Sequence, residues 1–329
     1  MIKTGKDTDM RYKRLGKSGL NVSEFCLGTW GFGGVGWDNY NEETRTDAIA
    51  AAVECGVNFI DTANAYNAGE SERIIGRAFK KLGCRDKFII STKCGNRFTD
   101  GIKYVRAGKR SEIFEDCESS LKNLQTDHID LYLIHWPDPN VSFEETFTAM
   151  ADLKKQGKVL HVGCSNFSKE QIEEASQYCP IEVLQPHYSM VVRGSEDLMK
   201  WCHENDIGNM TYGSLGGGIL TGRYRQAQQF VETDSRNRFY KFFHEPSFSE
   251  VMKLLAVCEE IAAEHDKPVA QVALNWSAQK EFVSTCIVGA QTRDKILQNC
   301  AAFEWNLTEE EIAKLDAAIA VYEDTVAKF

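Results

Sequence analysis

Short apolar runs alternate with stretches of helical periodicity along almost the whole chain, and this alternation is the feature that most constrains the fold. Strict alternation of strands and helices implies a parallel sheet, because each helix returns the chain to the same edge of the sheet. Eight strands of this kind fit a closed barrel better than an open sheet. The sequence therefore predicts an α/β protein with a (β/α)8 TIM barrel. The predicted strands lie at 25–28, 57–61, 88–93, 129–135, 159–164, 182–187, 208–213 and 283–288.

Several helix starts carry a polar residue that suits the N-cap position. Asn41 precedes the first helical run, and three later starts have capping-box spacing: Ser142 with Glu145, Ser168 with Gln171, and Thr308 with Glu311. The predicted helices lie at 41–56, 70–82, 111–125, 142–156, 168–178, 195–205, 249–264, 268–279, 292–300 and 308–321.

An open doubly wound sheet is the structural alternative. It would need a GxGxxG turn that leads directly from the first strand into a helix. The glycine-rich loop at 31–36 follows the first strand but has no helix immediately after it, so the barrel is the better prediction. We also predict a loose tail over residues 1–10, and one domain over 11–329 that begins with a small hairpin. The long segment 214–247, after the seventh strand, is predicted to be a functional loop.

The charge and the cysteines limit the partners of the chain. The net charge of −10 argues against nucleic acid and anionic membranes as general partners. Eleven cysteines with no CxxC pair, most of them in apolar strands or helices, are typical of reduced thiols in a cytoplasmic protein rather than of disulfides or a metal site. Neither a signal peptide nor a stretch long enough for a membrane helix is evident. A small-molecule substrate is therefore predicted.

Polar residues arrive at the ends of three successive predicted strands. Asp61, Lys93 and His135 occupy these ends, and Tyr66 follows Asp61 by five residues. In a barrel of this kind the active site lies at the C-terminal ends of the strands. A single buried Asp, Lys or His is more often a structural polar group, but three at consecutive strand ends beside a tyrosine favour a catalytic site.

These four side chains suit the reduction of a carbonyl group. An ion pair between Lys93 and Asp61 would bring a positive charge that lowers the pKa of Tyr66, which then protonates the carbonyl oxygen while a hydride reaches the carbon. His135 would orient that oxygen. A barrel aldolase that uses Lys93 as a Schiff base is an alternative.

Several motifs, in order along almost the whole chain, resemble the aldo-keto reductase family. The resemblance implies a barrel that binds NADP(H) without a Rossmann fold, with Tyr66 as general acid, Lys93 and Asp61 as its tuning pair and His135 as the orienting residue. The motifs are Gly28-Thr29, the run 59–63 with Tyr66, Ser91-Thr92-Lys93, the run 130–136, the run 163–167, Gln185-Pro186, and Leu215 through Leu220-Thr221-Gly222.

The same resemblance implies a set of cofactor ligands. Ser165, Asn166 and Gln185 would hold the nicotinamide carboxamide, and Tyr212 would stack on the ring, since amides satisfy amides and an aromatic face packs a flat ring. Glycines 216–218 would let the backbone approach the pyrophosphate, and Arg223 is a candidate anion ligand. The predicted cofactor residues are Thr29, Trp30, Ser165, Asn166, Gln185, Tyr212, Gly213, Leu215, Gly217, Gly289, Gln291, Arg293, Lys295 and Asn299.

Two positions depart from the pattern of the family. The usual Tyr-Ser-Pro-Leu is Tyr212-Gly213-Ser214-Leu215 here, which removes a hydroxyl and the stiffness of proline. After Gly289-Ala290, the usual basic residue for the 2′-phosphate is Gln291. Arg293 and Lys295 lie close by, and because a phosphate needs one or two well-placed cations, NADP(H) remains favoured while NAD(H) is possible.

Trp30 and Trp136 are predicted to line the substrate mouth beside Tyr66. The predicted function is a reversible NAD(P)H-dependent reduction of an aldehyde or ketone. A regulatory subunit that keeps the reductase fold and binds the cofactor with little turnover is the alternative from another class. The sequence leaves the particular carbonyl substrate, the preferred direction and the oligomeric state open.

Overall fold

Twelve strands and ten α-helices make up the part of the chain that the computed structural model describes, which is residues 10–34, 41–99, 103–230, 234, 236–237 and 240–328. The predicted tail over 1–9, the end of the glycine-rich loop at 35–36, and residues 238–239 of the long segment lie outside the described residues. The strands are β1 (Tyr12–Arg14), β2 (Asn21–Ser23), β3 (Phe25–Gly28), β4 (Phe59–Asp61), β5 (Ile89–Cys94), β6 (Asn96–Thr99), β7 (Lys103–Arg106), β8 (Ile129–Ile134), β9 (Val159–Ser165), β10 (Val183–Gln185), β11 (Gly208–Thr211) and β12 (Thr285–Gly289).

The helices return the chain from one end of the sheet to the other. Short 3-10 turns join them to the strands at several places, for example Trp30–Gly33 after β3 and Gly216–Thr221 after β11. The helices are α1 (Glu42–Glu54), α2 (Glu70–Leu82), α3 (Arg110–Leu124), α4 (Phe143–Lys155), α5 (Lys169–Ala175), α6 (Glu196–Glu204), α7 (Ser247–Glu264), α8 (Val269–Ala278), α9 (Arg293–Cys300) and α10 (Glu309–Val326).

Eight of the strands form a closed parallel barrel, in the order β3, β4, β5, β8, β9, β10, β11 and β12 around the ring. The ring closes because β3 pairs with β4 on one side, where Gly28 is opposite Asp61, and with β12 on the other, where Gly28 is opposite Gly289. The predicted TIM barrel is therefore confirmed. Its interior is filled by apolar side chains from the strands, including Cys26, Phe59, Leu131, Leu133, Val183 and Met210.

The hairpin of β1 and β2 covers the N-terminal end of the barrel. Leu15 and Val22 are fully buried and belong to the same apolar cluster as the barrel interior. The turn approaches β11 so closely that a Cβ at Gly16, whose φ is +53°, would lie 2.1 Å from the backbone nitrogen of Gly208. Only glycine fits such an approach. The predicted N-terminal hairpin is thus present, and it forms the floor of the barrel.

Helix caps follow the sequence closely. Asn41 accepts a hydrogen bond from the backbone N–H of Thr44 at 3.1 Å, and Thr308 and Glu311 form a reciprocal capping box. Ser142 caps Glu145 in one direction only. The last helix continues to Val326, beyond its predicted end, since no glycine or proline interrupts it there.

A second hairpin, β6 and β7, was missed by the sequence analysis. Its strands pair antiparallel, with Asn96 opposite Arg106. Polar residues dominate both strands, so they show no apolar alternation that would predict a strand. The hairpin follows β5 directly and therefore lies at the end of the barrel where Lys93 is found.

Ten of the eleven cysteines are buried and Cys55 is half-buried, and all eleven are free thiols. Within the described ranges, none of the helices has both the length and the apolar character that crossing a bilayer requires.

Candidate active site

The four predicted catalytic residues meet at the C-terminal end of the barrel. Asp61 is the last residue of β4, Lys93 lies one residue before the end of β5, and His135 directly follows β8. These three strands are neighbours, and Tyr66 lies in the loop that leaves β4. Parallel neighbours end at the same edge, so the chain places the four side chains in one cluster.

A buried ion pair lies at the centre of this cluster. The Nζ atom of Lys93 is 2.6 Å from Oδ1 of Asp61, and the Lys93 side chain is fully shielded from solvent. The same ammonium donates to the backbone oxygen of Thr62 at 2.7 Å and to the Tyr66 hydroxyl at 3.3 Å. Lys93 therefore links the carboxylate of Asp61 to the phenol of Tyr66.

Gln185 completes the coordination of Asp61. Its Nε2 donates to Oδ2 of Asp61 at 2.9 Å, so each carboxylate oxygen accepts one hydrogen bond. A buried carboxylate needs such partners, because an unpaired charge in the interior is costly. The sequence analysis assigned Gln185 to a cofactor only, since residues from opposite sides of the barrel cannot be paired from the sequence.

The environment of Tyr66 keeps its hydroxyl protonated. Burial raises the pKa of Tyr66 well above its usual 10.0, and the negative charge of Asp61 raises it further. The predicted lowering of this pKa is wrong, because Asp61 compensates the charge of Lys93 and desolvation penalises the phenolate. The phenol is thus a protonated group with an ammonium 3.3 Å away.

His135 is a neutral imidazole next to that phenol. Burial lowers the pKa of His135 well below 6.5, and the positive charges of Lys93 and Arg106 lower it further. Its ring meets the Tyr66 ring edge to face, with the centroids 6.0 Å apart. The buried Nδ1 atom has no hydrogen-bond partner among the described residues. A neutral imidazole can donate one hydrogen bond and accept another.

The predicted amide-binding residues form one hydrogen-bonded network across β9, β10 and β11. Ser165 donates to the backbone oxygen of Gln185 at 2.8 Å, and Asn166 donates to the backbone oxygen of His135 at 3.0 Å. The Tyr212 hydroxyl donates to Oδ1 of Asn166 at 2.9 Å. Asn166 has a φ of +63°, a conformation that asparagine tolerates better than most residues. The network joins three of the proposed cofactor residues to the histidine.

His187 supports the ring of Tyr212, which sequence reasoning did not foresee. The two rings stack with centroids 4.8 Å apart and planes 9° from parallel. Burial lowers the pKa of His187 to about 4, so this ring is neutral at physiological pH. Gly213, with a φ of +72°, makes the stack possible, because a Cβ there would lie 2.6 Å from the imidazole. A planar ligand ring therefore has the other face of Tyr212 to stack on.

The predicted pyrophosphate loop consists of three glycines with left-handed backbone conformation. Gly216, Gly217 and Gly218 have φ values of +55°, +61° and +99°. A Cβ at Gly217 would lie 2.6 Å from the ring of Tyr240, which covers the loop from the long segment after β11. The neighbouring Leu215 is half-buried. A side chain is excluded at Gly217, and the backbone itself forms the surface.

Among the cations predicted near the adenine end, Arg293 and Lys295 lie in different surroundings. Arg293 forms ion pairs with Asp47 and Glu54 of α1. Lys295 forms no ion pair among the described residues, and burial together with the charges of Arg223 and Arg45 lowers its pKa. Positive charges that converge without a carboxylate favour a bound anion.

The remaining predicted cofactor residues surround these groups. Gln291 donates to the backbone oxygen of Gly31 at 3.3 Å and accepts from Arg45 through its own backbone oxygen at 2.6 Å. Thr29 is fully buried and donates to the backbone oxygen of Asp61 at 2.8 Å. Gly289 ends β12 opposite Gly28, and Asn299 is half-buried in α9.

Aromatic rings border the reacting groups on the solvent side. The rings of Trp30 and Tyr66 are 6.4 Å apart. Trp136 lies beneath the guanidinium of Arg106, whose carbon is 4.9 Å from the ring centroid. Tyr104 is close enough for its hydroxyl to influence the pKa of Tyr66. The mouth thus includes the β6–β7 hairpin as well as the two predicted tryptophans.

A closed parallel barrel with these groups at the ends of its strands is the frame of a barrel oxidoreductase that acts on carbonyl groups. The sequence profile of the Aldo/keto reductase family matches residues 24–320, which include all eight barrel strands. The chain belongs to the aldo/keto reductase family, whose members work with nicotinamide cofactors.

Relatives of known sequence and structure agree with this assignment. The chain is 35% identical to the aldo-keto reductase YhdN of Bacillus subtilis, over 92% of this chain and 91% of the relative. It is 31% identical to the NADH-specific methylglyoxal reductase of Escherichia coli, over 90% and 94% of the two chains. It superposes on the glycerol dehydrogenase AKR11B4 of Gluconobacter oxydans with a TM-score of 0.85 at 29% identity, covering 95% of each chain.

Proposed function

We propose that the chain reduces an aldehyde or ketone to an alcohol, reversibly, with a hydride from NAD(P)H and with Tyr66 as the general acid. The observation that carries this proposal is the ammonium of Lys93, which lies 2.6 Å from Asp61 and 3.3 Å from the Tyr66 hydroxyl. A phenol that has lost its proton would be stabilised by this adjacent positive charge. The arrangement thus favours proton donation at the moment when negative charge develops on a carbonyl oxygen.

The chain's own residues divide the chemical work. A bound nicotinamide supplies the hydride. The Tyr66 hydroxyl donates its proton to the carbonyl oxygen, and Lys93 stabilises the phenolate that remains. Asp61, held by Gln185, keeps the ammonium of Lys93 in place. His135, which is neutral, donates a hydrogen bond to the same oxygen and fixes its position.

The residues at the ends of the later strands fit the nicotinamide cofactor. Ser165, Asn166 and Gln185 bring hydroxyl and amide groups to one place, where a carboxamide finds both donors and acceptors. Tyr212 offers the ring face opposite His187. The glycine loop offers a backbone surface for the pyrophosphate, which a side chain at Gly217 would block.

The geometry of Lys93 argues against the aldolase alternative. A Schiff-base lysine must present a neutral amine with a free lone pair. Lys93 instead donates to three oxygens and is fully buried. An ammonium with three acceptors has no electron pair for attack on a carbonyl.

The proposal is tested by titrating the purified protein with NADPH and NADH, followed by the absorbance of the reduced cofactor in the presence of small aldehydes and ketones. Binding with turnover is the expected result. Binding without turnover of any carbonyl would favour the regulatory-subunit alternative. Failure to bind either nucleotide would overturn the proposal.

We expect the rate of reduction to be independent of pH from about 6.5 to 10. The protonated form of Tyr66 is lost only above its pKa, which lies well above 10.0, and His135 is neutral above a pKa that lies well below 6.5. Neither group therefore changes its charge inside this window. The measurement is the single-turnover rate of hydride transfer against pH. An inflection inside the window would contradict these assignments.

For the cofactor, we propose that NADP(H) is preferred and that Lys295 contacts the 2′-phosphate. Arg293 is already paired with carboxylates, whereas Lys295 lies beside Arg223 and Arg45 without one. We expect Lys295→Gln to weaken NADPH binding about tenfold and to leave NADH binding unchanged, because a charge-assisted contact to phosphate is lost.

Fluorescence titration of both nucleotides measures this effect. Lys80→Gln is the matched control, since Lys80 is exposed near the C-terminal end of α2, which leads to the start of β5 at the other end of the barrel. Equal losses for NADPH and NADH in Lys295→Gln would show that Lys295 does not distinguish them. The NADH-specific relative makes this a real alternative.

We place the reaction in the cytoplasm, where thiols remain reduced. Ten of the eleven cysteines are buried as free thiols in strands and helices. Such use of cysteine as a small apolar residue is typical of reducing compartments. Microscopy of the tagged chain in its host would test the location.

A further inference from the structure

Arg106 is a cation at the substrate mouth that the reaction described above does not use. It ends β7, where it lies opposite Asn96 in the antiparallel pair and donates to Oδ1 of that residue at 2.8 Å. Its guanidinium lies over Trp136, 4.9 Å from the ring centroid. Trp136 directly follows His135, so the arginine stands next to the residue proposed to orient the carbonyl oxygen.

No carboxylate of the described residues forms an ion pair with Arg106. The carboxylate that influences it most, Asp138, is engaged elsewhere: Oδ2 accepts from the backbone N–H of Gly108 at 3.1 Å, and Oδ1 accepts from the backbone N–H of Asn140 at 2.9 Å. Partial burial lowers the pKa of Arg106 in spite of Asp138. The guanidinium is therefore partly desolvated, and its charge is not repaid by a close partner.

Arg110 shows what a satisfied arginine looks like in the same region. Its guanidinium also lies 4.9 Å from an aromatic centroid, that of Phe114, but it forms an ion pair with Asp152 at 2.7 Å. Stacking on an aromatic ring is thus common to both arginines, and the ion pair is not. Arg106 has donors left for another anion, because a guanidinium carries five N–H groups in a planar fork.

The position of Arg106 is fixed rather than variable. Asn96, its hydrogen-bond partner, is buried, and the neighbouring Arg97 ties the hairpin to α3 through Asp116 at 2.8 Å. A charge held in place at the mouth selects ligands by their own charge. The positive charge of Arg106 also contributes to the lowered pKa of His135, which shows how near the two groups are.

We propose that Arg106 binds an anionic group of the substrate, a carboxylate or a phosphate carried at some distance from the carbonyl, and so makes the chain selective for acidic aldehydes or ketones. This inference rests on the proposed carbonyl reduction. The planar fork suits the oxygens of either anion, and the flat face of Trp136 backs the guanidinium while it binds. Arg106 is thereby a specificity-determining residue, outside the proton-donating group.

The test compares matched pairs of substrates that differ only in charge. We expect wild type to prefer 4-carboxybenzaldehyde over benzaldehyde, and Arg106→Gln to lower kcat/KM for the acid about tenfold, through KM, with little effect on the neutral aldehyde. Arg106→Lys should retain part of the preference, and added salt should reduce it. Glyceraldehyde 3-phosphate against glyceraldehyde gives the phosphate arm, and the arm with the larger loss identifies the anion.

Arg110→Gln is the control, because it removes the same charge from a stacked but paired arginine. The preference should survive in this variant. Equal losses for acidic and neutral aldehydes in Arg106→Gln, or no loss for either, would overturn the inference while the reductase proposal stands.

A binding measurement separates the two proposals. Calorimetric titration with benzoate and with benzamide needs no turnover. Benzoate that binds wild type but not Arg106→Gln, in a protein that reduces no carbonyl, would leave the anion site and refute the reductase. Benzoate that binds both proteins equally would refute the role of Arg106.

Discussion

Replacing Tyr66 by phenylalanine should lower kcat for carbonyl reduction by about a thousandfold, the scale of a lost general acid. The substitution removes one oxygen and leaves the ring that contacts Trp30 and His135. Cofactor binding should be unchanged, since the hydroxyl makes its one described hydrogen bond to Lys93. Single-turnover kinetics and nucleotide titration measure the two quantities separately.

Tyr104→Phe provides the matched control for this experiment. It removes the same atom from an exposed tyrosine of the β6–β7 hairpin, near enough to influence Tyr66. We expect little change in kcat. If Tyr66→Phe retained most of the wild-type rate, the proton would have to come from another donor, and the proposed role of Tyr66 would be abandoned.

Replacing Asp61 by asparagine should destabilise the folded protein by about 3–5 kcal/mol as well as abolish turnover, because it leaves the ammonium of Lys93 buried without its counter-ion. Lys93 has no exposed surface into which it could rotate. The double variant Asp61→Asn/Lys93→Met removes both charges and should regain much of the lost stability, but no activity. Urea denaturation followed by fluorescence measures the free energy of unfolding.

A surface pair provides the comparison for this stability effect. Asp206 pairs with Arg14 at 2.7 Å, and about half of each side chain is exposed. Asp206→Asn makes the same chemical change in water, where the pair contributes little. We expect no measurable change in stability. Equal effects at Asp61 and Asp206 would show that the interior pair is not held in a low-dielectric site.

The barrel and the cluster at its upper end could be predicted because both depend on local patterns. Helix α2 matches its predicted range, and Asp61, Lys93 and His135 are recognisable since each comes at the end of an apolar run. Parallel strands then bring those ends together without any further information. The predicted strands extend too far at the seventh position, where β11 ends at Thr211 and the chain turns at Gly213.

What the sequence did not show depends on contacts across the barrel or on burial. Gln185 reaches Asp61 over 124 positions of sequence, and His187 stacks on Tyr212 from the neighbouring strand end. The direction of the Tyr66 pKa follows from desolvation, which outweighs the nearby ammonium. The polar β6–β7 hairpin carries no apolar period, so its arginine at the mouth had no signal.

The floor of the barrel and its mouth are built from different parts of the chain. Leu15 and Val22 seal one end with apolar contacts, while the β6–β7 hairpin and the long segment after β11 border the other. A change in the mouth therefore leaves the contacts of the floor intact, and stability and selectivity are under separate control. Evolution can exchange one set of mouth residues for another and keep the same scaffold, which gives a protein of this architecture a wide choice of substrates at little structural risk.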